Sequence, residues 1–187
     1  AYGPNIFNGG AGGSGETLSG GDGDDIINGN GGADQIWGDG GNDTITAAPT
    51  AGGLVWLRGG TGNDIITGSS TGGGIEILLG EEGDDTLSDP VGAFSVLNGG
   101  PGNDYINGFA SYLGSPSGII VNYSNSVWDI AGESLAARTA IDSWGDIDTF
   151  GPAAIRLRTT DFDDLMLGSD FGQRIDALAG DDEIYAL

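Results

Sequence analysis

The chain contains no cysteine, no lysine and no histidine in 187 residues. Without cysteine it has neither disulfides nor thiolate ligands. Without histidine it lacks the commonest general base and transition-metal ligand, and it cannot build a Ser–His–Asp triad. No apolar run approaches the length of a membrane-spanning helix. These absences disfavour a classical hydrolase, a soft-metal centre and a membrane span, so we expect no catalytic residues and no enzyme activity in this chain.

Positive charge is nearly absent as well. Five arginines face 28 acidic residues, which gives a formal net charge of −23. Such a charge opposes compaction by self-repulsion unless cations neutralise it. It also excludes nucleic acid and anionic membrane surfaces as natural partners. Because a domain without disulfides needs another source of stability, metal ions are the expected substitute.

Glycine, in contrast, is abundant at 39 residues, and much of it lies in a nine-residue motif, Gly-Gly-x-Gly-x-Asp-x-(aliphatic)-x. Three copies run in succession as GGDGDDIIN, GNGGADQIW and GDGGNDTIT, over residues 20–28, 29–37 and 38–46. The frame returns as GGTGNDIIT, GEEGDDTLS and GGPGNDYIN, over residues 59–67, 80–88 and 99–107, and a degenerate copy, AGGSGETLS, covers 11–19. A period of this length is the signature of a solenoid.

Each copy divides into a turn of six residues and a short strand of three. Glycine at positions 1, 2 and 4 permits positive φ, which curls carbonyl oxygens toward one point. The aliphatic residue at position 8 points inward, while positions 7 and 9 point outward. Two copies make one coil, and neighbouring coils must stack to bury their apolar faces. The pattern therefore predicts an all-β, right-handed parallel β-roll.

Three irregular segments, 47–58, 68–79 and 89–98, keep this frame although they lack the motif. Counted back from the following glycine, Leu57, Leu78 and Leu97 occupy the inward slot. They are interpreted as half-turns with longer loops that have lost the acid. One edge of the roll then carries five stacked motif loops, at 20–25, 38–43, 59–64, 80–85 and 99–104. The opposite edge carries motif loops only at 11–16 and 29–34.

Five stacked loops enclose four gaps, which predicts about four cations on that edge. Their acids are Asp25, Asp43, Asp64, Asp85 and Asp104. Oxygen cages of this kind suit a hard divalent cation, and Ca²⁺ is expected. A further, weaker site lies between Glu16 and Asp34 on the other edge.

After residue 107 the register dissolves and then returns over 159–187, where Met166, Ile175 and Ile184 take the inward slot. Asp164 and Asp182 lie 18 residues apart there, one full coil, and form another candidate ion site. Between the repeats and this terminal segment, strands are expected at 119–123, 127–130 and 155–157, and a short helix over 133–142. Asp146 and Asp148 fit a solvated turn better than an ion site. The expected divisions are thus 1–107, a calcium-binding β-roll, 108–158, an irregular continuation or cap, and 159–187, terminal repeats that close the same domain.

The nonapeptides resemble the repeats-in-toxin (RTX) β-roll of bacterial secreted proteins. In that family each ion takes the carbonyls of positions 2 and 4 and the Asp of one loop, with the carbonyls of positions 1 and 3 and the Asp of the next. The resemblance implies a first site of Gly21, Gly23, Asp25, Gly38, Gly40 and Asp43, and a second of Asp39, Gly41, Asp43, Gly59, Thr61 and Asp64. It implies a third of Gly60, Gly62, Asp64, Gly80, Glu82 and Asp85, and a fourth of Glu81, Gly83, Asp85, Gly99, Pro101 and Asp104.

The resemblance also implies export by a type I secretion apparatus and folding on extracellular Ca²⁺ as a structural module, itself part of a larger secreted enzyme, toxin or adhesin. One alternative is a carbohydrate- or protein-binding module, because Trp56, Ile77 and Val96 form an outward apolar stripe unless residues 108–158 cover it. A neighbouring domain or a glycan is the partner expected there. A second alternative is a polysaccharide-modifying enzyme, since such enzymes occur on parallel β-coils, but no acid stands apart from the repeats. A polar ladder at position 9, from Asn28 to Asn107, is interpreted as a solvated face.

Overall fold

The computed structural model describes residues 4–47, 53–69, 74–89, 95–116, 120–122, 128–130, 133–136, 138–142, 144–150, 156–168 and 174–185. These residues form strands and no helix. The strands are β1 (Ile6–Asn8), β2 (Thr17–Asp22), β3 (Ile26–Asn28), β4 (Gln35–Gly40), β5 (Thr44–Thr46), β6 (Leu54–Thr61), β7 (Ile65–Thr67), β8 (Ile75–Glu82), β9 (Thr86–Ser88), β10 (Val96–Asn98), β11 (Tyr105–Asn107), β12 (Phe109–Ser111), β13 (Ile120–Asn122), β14 (Trp128–Ile130), β15 (Glu133–Leu135), β16 (Thr139–Ile141), β17 (Ile147–Phe150), β18 (Arg156–Arg158), β19 (Leu165–Leu167), β20 (Arg174–Asp176) and β21 (Glu183–Tyr185).

Two long sheets make up a parallel β-roll, which confirms the predicted fold class. The first has the order β1-β3-β5-β7-β9-β11-β17-β16-β13-β19-β21, and the second β2-β4-β6-β8-β10-β12-β18-β20. Through the repeats the chain alternates between the sheets, so each strand pairs in parallel with the strand one coil later. Ile27 lies opposite Ile45 in the first sheet, and Ile36 opposite Leu57 in the second. Within the described part of the chain, no helix could span a membrane.

The core is the column of inward side chains from position 8. Ile27, Ile36, Ile45, Leu57, Ile66, Leu78, Leu87, Leu97 and Ile106 are each no more than 1% exposed. Burying such a side chain stabilises the fold by about 1.5–3 kcal/mol, so this column is the main apolar contribution to stability. Leu57, Leu78 and Leu97 confirm that the irregular half-turns keep the frame.

The inward slot is less well covered at the ends of the sheets. Leu18 and Ile175, in the end strands β2 and β20, are only partly buried against the core. Ile184, also predicted to point inward, is 50% exposed. It lies in β21, the last strand of the first sheet, where a neighbouring coil is present on one side only. Met166, one coil earlier, is fully buried as predicted.

Between the repeats and the terminal strands the chain departs from simple coiling. The strands predicted at 119–123, 127–130 and 155–157 are present as β13, β14 and β18, although some of their predicted end residues lie outside the described ranges. The helix predicted over 133–142 is wrong, because β15 and β16 occupy this stretch. β16 pairs antiparallel with both β13 and β17. These cross-strand hydrogen bonds, to the hairpin partner β17 and to the more distant β13, outweigh local helix propensity.

Candidate metal centre

The five motif loops stack along one edge of the roll, and their glycines direct carbonyl oxygens into the gaps between coils. Position 4 has positive φ in every one of them, and position 2 also does, even where it is Asp39 or Glu81 (φ 75° and 76°). A Cβ atom added at position 4, as at Gly62 or Gly83, would collide with the position-4 carbonyl oxygen of the preceding loop. The position-4 carbonyl of each loop therefore points across the gap toward the next one.

Position 1 is glycine for a different reason from the one that the sequence suggests. It does not adopt positive φ in these loops. Instead, a Cβ added at Gly20 would lie 2.5 Å from Oδ2 of Asp25 and 2.7 Å from the carbonyl oxygen of Gly38 in the next loop. In the same way, a Cβ at Gly38, Gly59 or Gly80 would meet the position-6 carboxylate of its own loop and the position-1 carbonyl of the next loop. The position-6 carboxylate and the next loop's first carbonyl thus approach the same space from opposite sides of the gap.

The position-6 aspartates form a hydrogen-bonded ladder along this edge. Asp43, Asp64, Asp85 and Asp104 each use Oδ1 to accept the backbone N–H of the aspartate one coil earlier, over 2.7 Å from Asp25 to Asp43 and from Asp43 to Asp64, and 2.8 Å from Asp64 to Asp85 and from Asp85 to Asp104. Oδ1 of Asp25, the first of the five, accepts the backbone N–H of Asn5 over 2.7 Å. All five are at most 2% exposed. The second carboxylate oxygen of each aspartate is buried and has no hydrogen-bond partner. These atoms are Oδ2 of Asp25, Asp43, Asp64, Asp85 and Asp104.

Buried oxygens without partners are costly, and the electrostatics of the ladder reflect this. Burial, together with repulsion from neighbouring carboxylates, raises the pKa of Asp64 to about 6, of Asp85 to about 7 and of Asp104 to about 8. The ion pairs among the described residues join arginines to Glu81 and Asp176, not to the ladder. The described arginines therefore do not compensate the charges of the ladder.

This donor set fits a hard cation. Among the residues that the structure describes, no three carboxylates converge on one point that could hold a metal. Carboxylates alone would therefore be insufficient, and backbone carbonyls must complete the coordination. Mixed carboxylate and carbonyl oxygens, with several ligands in irregular geometry, are what Ca²⁺ accepts and what Mg²⁺ tolerates poorly.

The two weaker candidate pairs are also brought together. The N–H of Glu16 donates to Oδ1 of Asp34 over 3.0 Å, and the N–H of Asp164 to Oδ1 of Asp182 over 3.1 Å, as in the ladder. Asp164 differs in its other contacts, because its two oxygens accept from the hydroxyl and the N–H of Thr160 at 2.8 and 3.1 Å. The geometry of a motif coil is thus kept there, but the partnerless oxygen is missing.

The irregular edge has not lost its acids, contrary to the sequence-based expectation. Glu76 and Asp89 are 5% and 2% exposed. Glu76 accepts hydrogen bonds from Ser69, and Asp89 from the hydroxyl of Ser95. Burial raises the pKa of Glu76. Glu76 stands at motif position 6, two residues before Leu78, and was missed because no glycine turn precedes it; it pairs in a strand with Val55. Asp89 was missed because it lies outside the motif frame.

Two features of the motif edge were also missed. Position 5 forms a second, exposed ladder, in which the N–H of Asn63 donates to the side chain of Asn42 over 2.7 Å and the N–H of Asn103 to Asp84 over 2.9 Å. Asp148 is fully buried, not part of a solvated turn. Its signal was present in the sequence, since Asp148 and Phe150 have the spacing of positions 6 and 8.

The second sheet carries an aromatic groove lined by Gln35, Trp37, Trp56 and Arg58. The guanidinium of Arg58 lies 5.7 Å from the centre of the Trp56 ring. Trp56, Ile77 and Val96 lie side by side in register, as predicted, and are half-buried. The groove combines stacking surfaces with hydrogen-bond donors.

Comparison with known families accounts for the motif edge. The model of the RTX calcium-binding nonapeptide repeat matches this chain in four copies, at residues 10–45, 56–71, 70–88 and 94–111. Comparisons with curated proteins and with solved structures find no match. The family match ends close to the last motif copy, so the strands beyond residue 111 are described by their own geometry alone.

Proposed function

Residues 10–111 belong to the RTX calcium-binding nonapeptide-repeat family, and on that premise we propose that this calcium-binding structural module is exported and folds when it meets extracellular Ca²⁺. The observation that supports this best is the register of five buried carboxylate oxygens, one per coil, none of which has a hydrogen-bond partner. Each has the place and the charge that a cation ligand requires. The β-roll itself is a structural and not a catalytic fold.

In this proposal four ions occupy the gaps between the five motif loops. Each is held by the position-6 aspartates on both sides of its gap, by the position-2 and position-4 carbonyls of the loop before it, and by the position-1 and position-3 carbonyls of the loop after it. The directions of the position-1 and position-4 carbonyls support this assignment. Asp43, Asp64 and Asp85 each contribute to two adjacent gaps, so neighbouring ions should bind cooperatively.

Charge balance links ion binding to folding. Four divalent ions would offset eight of the 23 net negative charges. Without them the stacked loops repel one another, and the coil that forms each cage cannot close. Because the cages do not exist in the unfolded chain, the free energy of binding contributes to the free energy of folding.

The expected affinity supports folding outside the cell. Extracellular calcium modules bind with a Kd of about 10⁻⁴–10⁻³ M, far above cytosolic calcium concentrations. The chain would therefore remain unfolded before export, which suits passage through a secretion channel. A structural role at the bacterial surface or in the medium follows.

Circular dichroism on the isolated chain tests the proposal. Strand signal should be absent in calcium-free buffer, appear in a sigmoidal titration with CaCl₂ in the submillimolar to millimolar range, and fail to appear with MgCl₂ at the same ionic strength. A full strand signal at neutral pH after calcium removal would contradict calcium-driven folding. The same sample, tested for turnover of acidic polysaccharides, would reveal the enzymatic alternative.

The aromatic groove supports a second candidate, a carbohydrate-binding surface. Trp37 and Trp56 offer apolar rings that suit the faces of sugars, while Gln35 and Arg58 offer donors to hydroxyl or acidic groups. Glycan-array binding of the calcium-loaded chain should then be abolished by Trp56→Ala. Tyr105→Ala, which removes a half-exposed aromatic ring from the other sheet, should leave it unchanged. Equal binding by both variants would rule out the groove.

A further inference from the structure

The hairpin formed by β16 and β17 continues the carboxylate ladder beyond the last motif loop. The N–H of Asp104 donates to Oδ1 of Asp148 over 2.9 Å, as each ladder aspartate donates to the next. The N–H of Thr149 donates to the carbonyl of Asp104 over 2.6 Å, and the N–H of Ile147 to Oδ1 of Asn103 over 3.0 Å. A fifth gap therefore exists, with a motif loop on one side and a non-repeat hairpin on the other.

Two carboxylate oxygens in this region are buried and have no partner. One is Oδ2 of Asp104, and the other is Oδ2 of Asp142 at the start of the hairpin turn. Asp142 is only 4% exposed, and its Oδ1 accepts the N–H groups of Trp144 at 2.9 Å and Asp146 at 3.0 Å. Those two bonds fix the carboxylate in place while its second oxygen remains without a donor.

The surroundings of these oxygens are strongly negative. Asp148 is fully buried, and its Oδ1 lies 2.9 Å from the backbone nitrogen of Asp104. The N–H of Asp142 donates to the carbonyl of Asp146 over 3.1 Å, so the turn holds these two acids side by side. Asp146 adds a further negative charge, and its Oδ2 accepts the N–H of Gly102 over 3.0 Å. No arginine of the described residues forms an ion pair with any of these acids.

We propose that this fifth gap binds a further divalent cation, held by the free oxygens of Asp104 and Asp142, which fastens the β16–β17 hairpin to the end of the repeats. The carbonyls of Gly100 and Gly102 occupy the motif positions that serve the four preceding gaps, and they complete the oxygen set. Asp148 contributes charge but no free oxygen. The cation is Ca²⁺ by the same ligand chemistry. The inference rests on the proposed function, and extends it to residues outside the family match.

Tyr112 explains why the ladder ends here. Tyr112 is only 3% exposed, and its hydroxyl donates to Oδ2 of Asp148 over 2.6 Å. That oxygen is the counterpart of the five partnerless ones, and a neutral donor occupies it in place of a cation. The described ladder therefore offers five gaps and then a closed end.

The ion count of the whole chain tests the site. Equilibrium dialysis against saturating ⁴⁵Ca²⁺ should give one ion fewer for Asp142→Asn than for wild type. Asp22→Asn is the matched control, because it removes one negative charge at an exposed, non-ladder position, and it should leave the count unchanged. Asparagine keeps the carbonyl oxygen that accepts the two turn N–H groups, so the hairpin turn is preserved.

Trypsin supplies an independent readout, because the five basic residues are all arginines and four of them lie at or beyond residue 138. In saturating calcium, cleavage at Arg138, beside β16, should be at least tenfold faster in Asp142→Asn than in wild type. Cleavage at Arg58, between ladder coils, should remain as slow as in wild type.

Equal ion counts and equal cleavage at Arg138 in the two proteins would overturn the fifth site while leaving the other four intact. Loss of protection at Arg58 as well would also overturn it, since Asp142 would then act on the whole fold and not on one ion. If wild type bound no calcium at all, the proposed function would fail first. These three results are distinguishable in the same two experiments.

Discussion

Removal of calcium should make the stability of the roll depend on pH, with the folded state favoured by acid. In the ion-free roll, burial holds the pKa of Asp64, Asp85 and Asp104 at about 6, 7 and 8. In the unfolded chain each of these groups has a pKa of about 3.9. As pH rises, the three carboxyls therefore lose their protons at a lower pH in the unfolded chain than in the folded roll. At intermediate pH they are ionised in the unfolded chain and still protonated in the folded roll.

The sign of the effect follows from that difference. Below pH of about 4 these groups are protonated in both states and have no effect on stability. Between about pH 4 and 8 the free energy of unfolding falls, and above that range it is constant. At about 1.4 kcal/mol per pKa unit, the three acids destabilise the ion-free roll by several kcal/mol in total, with their mutual repulsion counted once. That is comparable to the whole stability of a typical domain, so the ion-free chain should be unfolded at pH 8.

The measurement is a set of urea titrations followed by far-ultraviolet circular dichroism, from pH 5 to pH 8.5, on protein freed of calcium by dialysis. Strand content should be greatest at the acid end and lost toward pH 8. In millimolar Ca²⁺ the trend should reverse, because protons compete with the ion for the same oxygens. An unfolding free energy that stays flat or rises with pH in the absence of calcium would refute the reasoning.

Three further outcomes are expected. Asp64→Asn removes a carboxylate shared by two gaps and should raise the calcium midpoint for folding severalfold, whereas Glu16→Gln on the other edge should shift it little; equal shifts measured by calcium titration would count against the ladder. Gly59→Ala places a methyl group against the Asp64 carboxylate and should prevent calcium-induced folding, while Gly13→Ala, where a Cβ meets nothing within 4 Å, should fold like wild type in the same dichroism assay. Leu78→Ala empties a fully buried slot and should lower the unfolding free energy in calcium by about 2–5 kcal/mol, and a urea midpoint equal to that of wild type would contradict its place in the core.

The roll and its core were predictable from sequence because one period specifies both the turn and the inward slot. Leu57, Leu78 and Leu97 were found by counting alone, since a parallel coil tolerates longer loops only if the strand frame is kept. The reason for glycine at position 1 was not predictable, because it depends on how closely the next coil approaches. Prediction failed most where cross-strand hydrogen bonds outweigh local propensity, as at β16.

Asp148 marks the boundary between these two cases. Its spacing to Phe150 matches the motif, but the surrounding residues do not, and only its pairing with Asp104 shows it to be part of the ladder. Tyr112 could not be connected with it from sequence, since 36 residues separate the two. Sequence spacing can therefore predict which residues belong to the ladder. The residue that ends the ladder, Tyr112, is determined by a tertiary contact and cannot be predicted from spacing.

The ladder bonds all run one way, from a donor N–H in an earlier coil to a carboxylate in a later one, and this gives the roll a polarity. At the N-terminal end a coil lost by truncation would leave a carboxylate oxygen, which water can solvate. At the C-terminal end it would leave an N–H without an acceptor, beside partnerless aspartates. Insertions and deletions should therefore be accepted in whole coils within the stack, and the β16–β17 hairpin should be the part that a shortened roll cannot lose.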